Sequence, residues 1–172
     1  SNTPIKTPDD LKGFIIRTPQ SPMTVAAFEA MGAKPTPMAF SEVFTSLQQG
    51  VINGQENPLA MIKSGSLYEV QKYVNETEHL RAWVYIAMGE KKYQSLPDDL
   101  KEVVNEAAKE AQAYEHELFL EDEKKLKGEL EEKGMEFVEV DQSLFSEKAI
   151  PGVEAILTDK QKALYDKIKA VQ

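Results

Sequence analysis

Two residues in this chain combine a chemistry with a position. Arg17 closes the apolar run Phe14-Ile15-Ile16-Arg17 just before Thr18-Pro19, and Asn57 closes Asn53-Gly54-Gln55-Glu56-Asn57 just before Pro58. A guanidinium fork at a strand end takes a carboxylate through two parallel hydrogen bonds. An asparagine amide beside it adds a third donor. Open α/β sheets place their ligand crevice at such strand ends. Position alone fits a structural ion pair for Arg17 equally well, and an ordinary turn before proline for Asn57. Glu56 either orients Arg17 or faces solvent, and the solvent reading is the simpler one. Gln20 stands beside Pro19 at a helix start, where anions are favoured; its plain alternative is a solvent-facing glutamine. Phe40 and Trp83 offer apolar walls, or are core.

Other chemistries lack their parts. His79 and His116 are the only histidines, and neither has a second donor at ligand spacing. The pairs Asp98-Asp99 and Glu131-Glu132 fall on expected exposed helix faces. No nucleophile, metal cluster or phosphate loop is present, so neither a catalytic site, a metal site nor a cofactor is expected.

The chain has 172 residues, 41% of them hydrophobic and 28% charged, which suits one soluble domain or one lobe plus part of another. Its net charge of −9 argues against nucleic acid as a partner. It leaves room for a small anion, because one positioned arginine outweighs a diffuse field. The absence of cysteine removes thiol chemistry and most structural zinc sites. No apolar run approaches a membrane span, and no signal peptide is present. The opening Ser1-Asn2 reads as an appended scar outside the fold.

The elements that must position these residues follow from caps and periodicity. Thr7-Pro8-Asp9-Asp10 reads as a capped helix start and residues 14–18 as a buried strand. Ser21-Pro22 opens a helix with Met23, Ala26, Ala27 and Met31 on one face. Residues 35–39 are extended, residues 41–49 helical, and residues 51–55 a strand. Tyr73-Val74 and residues 83–88 are two further strand candidates. Strand and helix alternate as in an α/β layer with a mainly parallel sheet. Ser95-Leu96-Pro97-Asp98 then reads as a capping box for a helical pattern reaching Gly134. At ~1.5 Å per residue that helix is roughly 50 Å long, with Gly128 a candidate break. Residues 135–140 read as a strand, and Thr158 with Gln161 caps a last helix.

The segments Ile16-Arg17-Thr18-Pro19, Phe40-Ser41-Glu42-Val43, Gly54-Gln55-Glu56-Asn57-Pro58 and Tyr68-Glu69-Val70-Gln71-Lys72-Tyr73, in order, resemble the solute-binding subunits of TRAP transporters, the periplasmic DctP type. The resemblance implies a periplasmic, type II-like binding-protein fold whose two α/β lobes close on an organic acid. A C4-dicarboxylate, a sugar acid and a related hydroxy or oxo acid all suit it. It also implies hand-over to a sodium-coupled membrane permease. Carried over by motif, Arg17 is the carboxylate anchor, Asn57 a second contact, Phe40 a pocket aromatic, and Gln20 a polar position that varies with substrate. Trp83 lies in a poorer local match to a pocket aromatic. The chain then corresponds to a C-terminal portion lacking most of the first lobe, a truncated clamshell with a lobe-spanning helix. Residues 3–82 begin the second lobe, 83–122 complete the first, and 123–172 return to the second. Apolar surface on residues 83–88 is then left uncovered, and a second copy, by association or swapping, is expected over it.

Two rivals stand beside this reading. An enzyme on a similar scaffold would use Glu56 or Glu42 as a base and lacks a second catalytic group. A helical oligomerisation module would need heptads, and the apolar pattern lapses between Leu118 and Leu126.

Overall fold

The computed structural model describes residues 1–81 and 83–171. The backbone divides into two compact units, Ser1–His79 with Leu130–Gln172, and Leu80–Glu129.

In the first unit, β1 (Ile15–Thr18) is the middle strand of a parallel sheet. It lies between β2 (Lys34–Pro37) and β3 (Gly54–Gln55), with Arg17 in register with Thr36 on one side and Gln55 on the other. A second parallel pair joins β4 (Tyr73–Asn75) to β5 (Glu136–Val138). Alternation along β1 sends neighbouring side chains to opposite faces. Ile16 enters one apolar cluster with Ile5, Leu11, Phe28, Met31 and Phe145. Ile15 packs against the other, built on Val43, Leu47, Ile52, Ile62, Leu67, Leu130 and Met135. Arg17, two residues from Ile15, therefore shares the face of the second cluster.

Helices cover these faces. α1 (Pro22–Ala30) is capped by Ser21, whose hydroxyl accepts from the Thr24 N–H at 3.3 Å. It buries Thr24, Ala26 and Phe28, whereas Met23, expected on the inner face, is exposed. α2 (Val43–Gln48) and α3 (Leu59–Ser64) lead into and out of β3. α6 (Gln142–Ala155) packs on α1 and carries Phe145 into the core. That contact needs Gly152, where an added Cβ would stand 2.5 Å from Ala30 Cβ and 2.8 Å from the Ala26 carbonyl oxygen. α7 (Asp159–Lys169) starts at the expected Thr158 and Gln161 capping box.

The second unit holds α4 (Glu90–Gln94) and most of α5 (Asp98–Glu132). Four sequence expectations change here and at the amino end. Residues 83–88 form no strand and lie exposed, because no described strand offers them a ladder and an unpaired strand has nothing to hold its register. Ser95 caps α4, its hydroxyl donating to the Lys92 carbonyl at 2.8 Å, so the long helix begins at Asp98 without a box from Ser95. α5 runs unbroken through Gly128, since one glycine costs only ~1 kcal/mol against many helical neighbours. Ser1 and Asn2 are bonded into the fold: the Asn2 amide donates to the Val70 carbonyl and accepts from the Lys72 N–H, both at 2.9 Å.

Candidate functional site

Arg17 reaches the carboxyl end of β1 with its side chain buried at 5% exposure. Two of its N–H donors are bonded, both to one backbone oxygen. Nε and Nη2 both donate to the Met38 carbonyl, at 3.1 and 2.8 Å. This locks the fork's orientation and leaves three of the five N–H donors of an arginine with no bonded acceptor among the described residues. The Phe40 ring lies 6.0 Å from the guanidinium carbon and forms an apolar wall. Burial lowers the Arg17 pKa, and the negative charge of Glu56 opposes that shift. An arginine so placed stays cationic and holds a positive charge in a poorly solvated site.

β3 supplies the other half. Gln55 lies beside Arg17 in register, and its side-chain oxygen accepts from the Asn57 amide at 2.5 Å. The Asn57 amide is thus oriented with one donor still to use. Glu56 turns inward, with its side chain only 10% exposed. Its carboxylate meets His79 Nε2 at 3.3 Å, and His79 Nδ1 meets the Thr77 hydroxyl at 2.8 Å. The His79 ring also stands edge-on to Phe28, with centroids 5.1 Å apart. The solvent-facing reading of Glu56 is therefore corrected: its charge is balanced by Arg17 on one side and bonded by His79 on the other.

The five sequence candidates separate. Arg17 and Phe40 lie together at the end of β1, and Asn57 follows the neighbouring strand β3, bonded to Gln55. Gln20 is exposed just ahead of the Ser21 cap. Trp83 belongs to the other unit and is 77% exposed. Sequence reasoning missed the Met38 carbonyl, whose role follows from backbone geometry. It also passed over His79, which lies 23 residues from Glu56 and gives no local spacing signal. Among the described residues no group of three or more His, Cys, Asp or Glu is placed to hold a metal. No described helix is long and apolar enough to cross a membrane.

A parallel sheet with a held arginine and an oriented asparagine at its strand ends is an α/β arrangement with the donors to hold a small anion. The profile of the DctP family, bacterial extracellular solute-binding protein family 7, matches residues 1–159. The chain belongs to that family. A solute-binding protein of Roseobacter denitrificans is 48% identical over 168 residues, covering 98% of this chain and 52% of that protein. The 2,3-diketo-L-gulonate-binding periplasmic protein YiaO of Escherichia coli is 37% identical over 148 residues, covering 86% of this chain and 45% of its own length. A crystal structure of a TRAP periplasmic solute-binding protein from Roseobacter denitrificans with bound L-galactonate superposes with a TM-score of 0.87 at 48% identity, covering 97% of this chain and 56% of that one. The chain spans about half the length of the curated relatives it matches.

Proposed function

We propose that this chain provides the carboxylate-binding lobe of a periplasmic solute-binding subunit, which delivers an organic acid to a TRAP-type membrane permease. The observation that carries the reading is the Arg17 fork: buried, aimed by the Met38 carbonyl, and left with free donors at the end of β1. A desolvated charge-assisted hydrogen bond contributes ~1.5–3 kcal/mol, enough to fix the carboxylate end of a ligand. The substrate class is a six-carbon sugar acid, by analogy with the L-galactonate and 2,3-diketo-L-gulonate of the relatives. Residues 3–82 and 123–172 make up this lobe, and residues 83–122 belong with its partner lobe. The site holds a ligand and transforms none, so its output is the ligand-bound conformation that the permease engages.

Thermal melting with L-galactonate checks the reading. Ligand binding raises the midpoint of the parent chain, and the rise disappears in Arg17→Ala. An equal rise in both proteins would remove Arg17 from the site. In this form, exposed residues 83–88 seek cover, and association with a second copy provides it.

A further inference from the structure

The end of α3 arranges its residues against the usual order. Gly65 stands at φ −85° and ψ 4°, a conformation any residue adopts, while Ser66 takes the left-handed region at φ 51°. Helices commonly put glycine in that left-handed position, where a missing Cβ removes the penalty. Here serine carries the penalty, and glycine sits where the backbone does not require it. The turn is pinned all the same. The Gly65 N–H donates to the Met61 carbonyl, the Ser66 N–H to the Lys63 carbonyl and the Glu69 N–H to the Ser66 carbonyl, each at 3.0 Å. The reason for a glycine at position 65 therefore lies in packing.

A Cβ built on Gly65 would stand 3.0 Å from Phe40 Cζ and 3.5 Å from Leu67 Cγ. The third near atom, the Met61 carbonyl oxygen at 3.1 Å, belongs to the last turn of α3 itself. Carbon atoms pack at ~3.5–4.0 Å, so Phe40 is the neighbour a methyl group would displace. Leu67 cannot recede, because it is buried among Val43 and Ile62 in a close-packed cluster. Phe40 is only half-buried, and its ring is the part with room to move. That ring is also the wall of the Arg17 site, 6.0 Å from the guanidinium carbon. The backbone ahead of it is held: the Met38 carbonyl accepts from Arg17, and the Ala39 N–H donates to the Glu42 carboxylate at 3.2 Å. With its base fixed, the ring tip answers to Gly65.

We propose that Gly65 is a positioning residue of the ligand site. By lacking a side chain it lets the Phe40 ring stand back, and so sets the room beside Arg17 for the carbon chain of the acid. The inference rests on the carboxylate reading of Arg17 and adds to it a residue that offers the ligand no polar group. A methyl at position 65 pushes the ring off its place, because a filled contact forces side chains to shift. A displaced ring hinders the far end of a six-carbon acid more than its carboxylate, which Arg17 still holds. The signature is therefore a loss that grows with the length of the acid and that needs Phe40 to be present.

Four proteins test this: the parent, Gly65→Ala, Phe40→Leu and the double variant. The first readout needs no ligand. It is the NMR resonance of the Arg17 Nε–H group, which a nearby aromatic ring displaces. Gly65→Ala is expected to move that resonance in the parent and to leave it in place in the Phe40→Leu background. The second readout is titration with L-galactonate and with the two-carbon acid glycolate. Gly65→Ala is expected to weaken L-galactonate binding by about 10-fold and glycolate binding by less than about 2-fold, with neither change in the Phe40→Leu background. An unmoved resonance in folded Gly65→Ala overturns the proposal, as do equal losses for the two acids or the same loss without Phe40. A resonance that moves in a protein whose parent binds neither acid supports the hold of Gly65 on the ring and overturns the carboxylate reading alone. Should Gly65→Ala fail to fold, the double variant decides. Recovery of a cooperative melt supports the contact with Phe40, and no recovery assigns the clash to Met61 or Leu67 and overturns it.

Discussion

At the scale of single residues, Arg17 is a charge whose burial is tolerated only because its geometry is fixed. The Met38 carbonyl holds Nε and Nη2, and Glu56 supports the positive charge. Lysine keeps the charge and loses the fork, so Arg17→Lys should weaken sugar-acid binding by about 10-fold and Arg17→Ala by up to about 150-fold, from ~1.5–3 kcal/mol per charged bond. Calorimetric titration separates the two, and equal losses would show that charge alone matters. Ser1 carries a second prediction. Its folded-state pKa of about 5 lies below the ordinary 8.0, so between these values the unfolded chain binds the extra proton. Stability of the chain that starts at Ser1 therefore rises with pH from 5 to 8, with a slope approaching ~1.4 kcal/mol per unit. Acetylated Ser1 should flatten that limb in urea melts taken across the range. The strand-end positions of Arg17 and Asn57 were legible because both sit in short local motifs. The inward turn of Glu56 was not, because its partner His79 is distant in sequence.

At the scale of elements, caps were the most legible signals. Asp10 accepts from the Lys6 and Thr7 N–H groups, each at 2.9 Å, and these bonds hold its carboxyl below the ordinary range. Ser21 and Thr158 start their helices as expected. α6 escaped notice because Pro151 sits inside it and interrupts the helical pattern read from sequence. Its seat on α1 depends on Gly152, which no periodicity argument singles out. Gly152→Ala would drive a methyl into the Ala30 side chain and the Ala26 carbonyl, a backbone contact that yields little. The expected cost is ~1–3 kcal/mol from overpacking. Urea denaturation reads it directly, and Gly128→Ala on the open stretch of α5 serves as the contrast, gaining up to ~1 kcal/mol in helix propensity.

At the scale of the whole molecule, apolar exposure is concentrated in the unit Leu80–Glu129. Trp83, Val84, Tyr85 and Ile86 are 70–94% exposed, and Leu100, Val103, Tyr114 and Leu118 of α5 are exposed as well. The sequence pattern of residues 83–88 is that of a strand, yet pattern alone supplies no neighbour to pair with. Two forces then compete when molecules meet. The net charge of −9 opposes association, but in ~0.15 M salt it is screened beyond about 8 Å. Burial contributes ~1.5–3 kcal/mol for each large side chain covered. Four such residues outweigh the screened repulsion, so the chain should self-associate at micromolar concentration, and added salt should strengthen the association. Replacing Val84 and Ile86 together by lysine removes two of the four and adds charge in the segment. Sedimentation velocity on the parent and the double variant decides the matter: loss of the associated species places the contact on residues 83–88, whereas equal association in both moves it elsewhere, with the exposed stripe of α5 next to be tested.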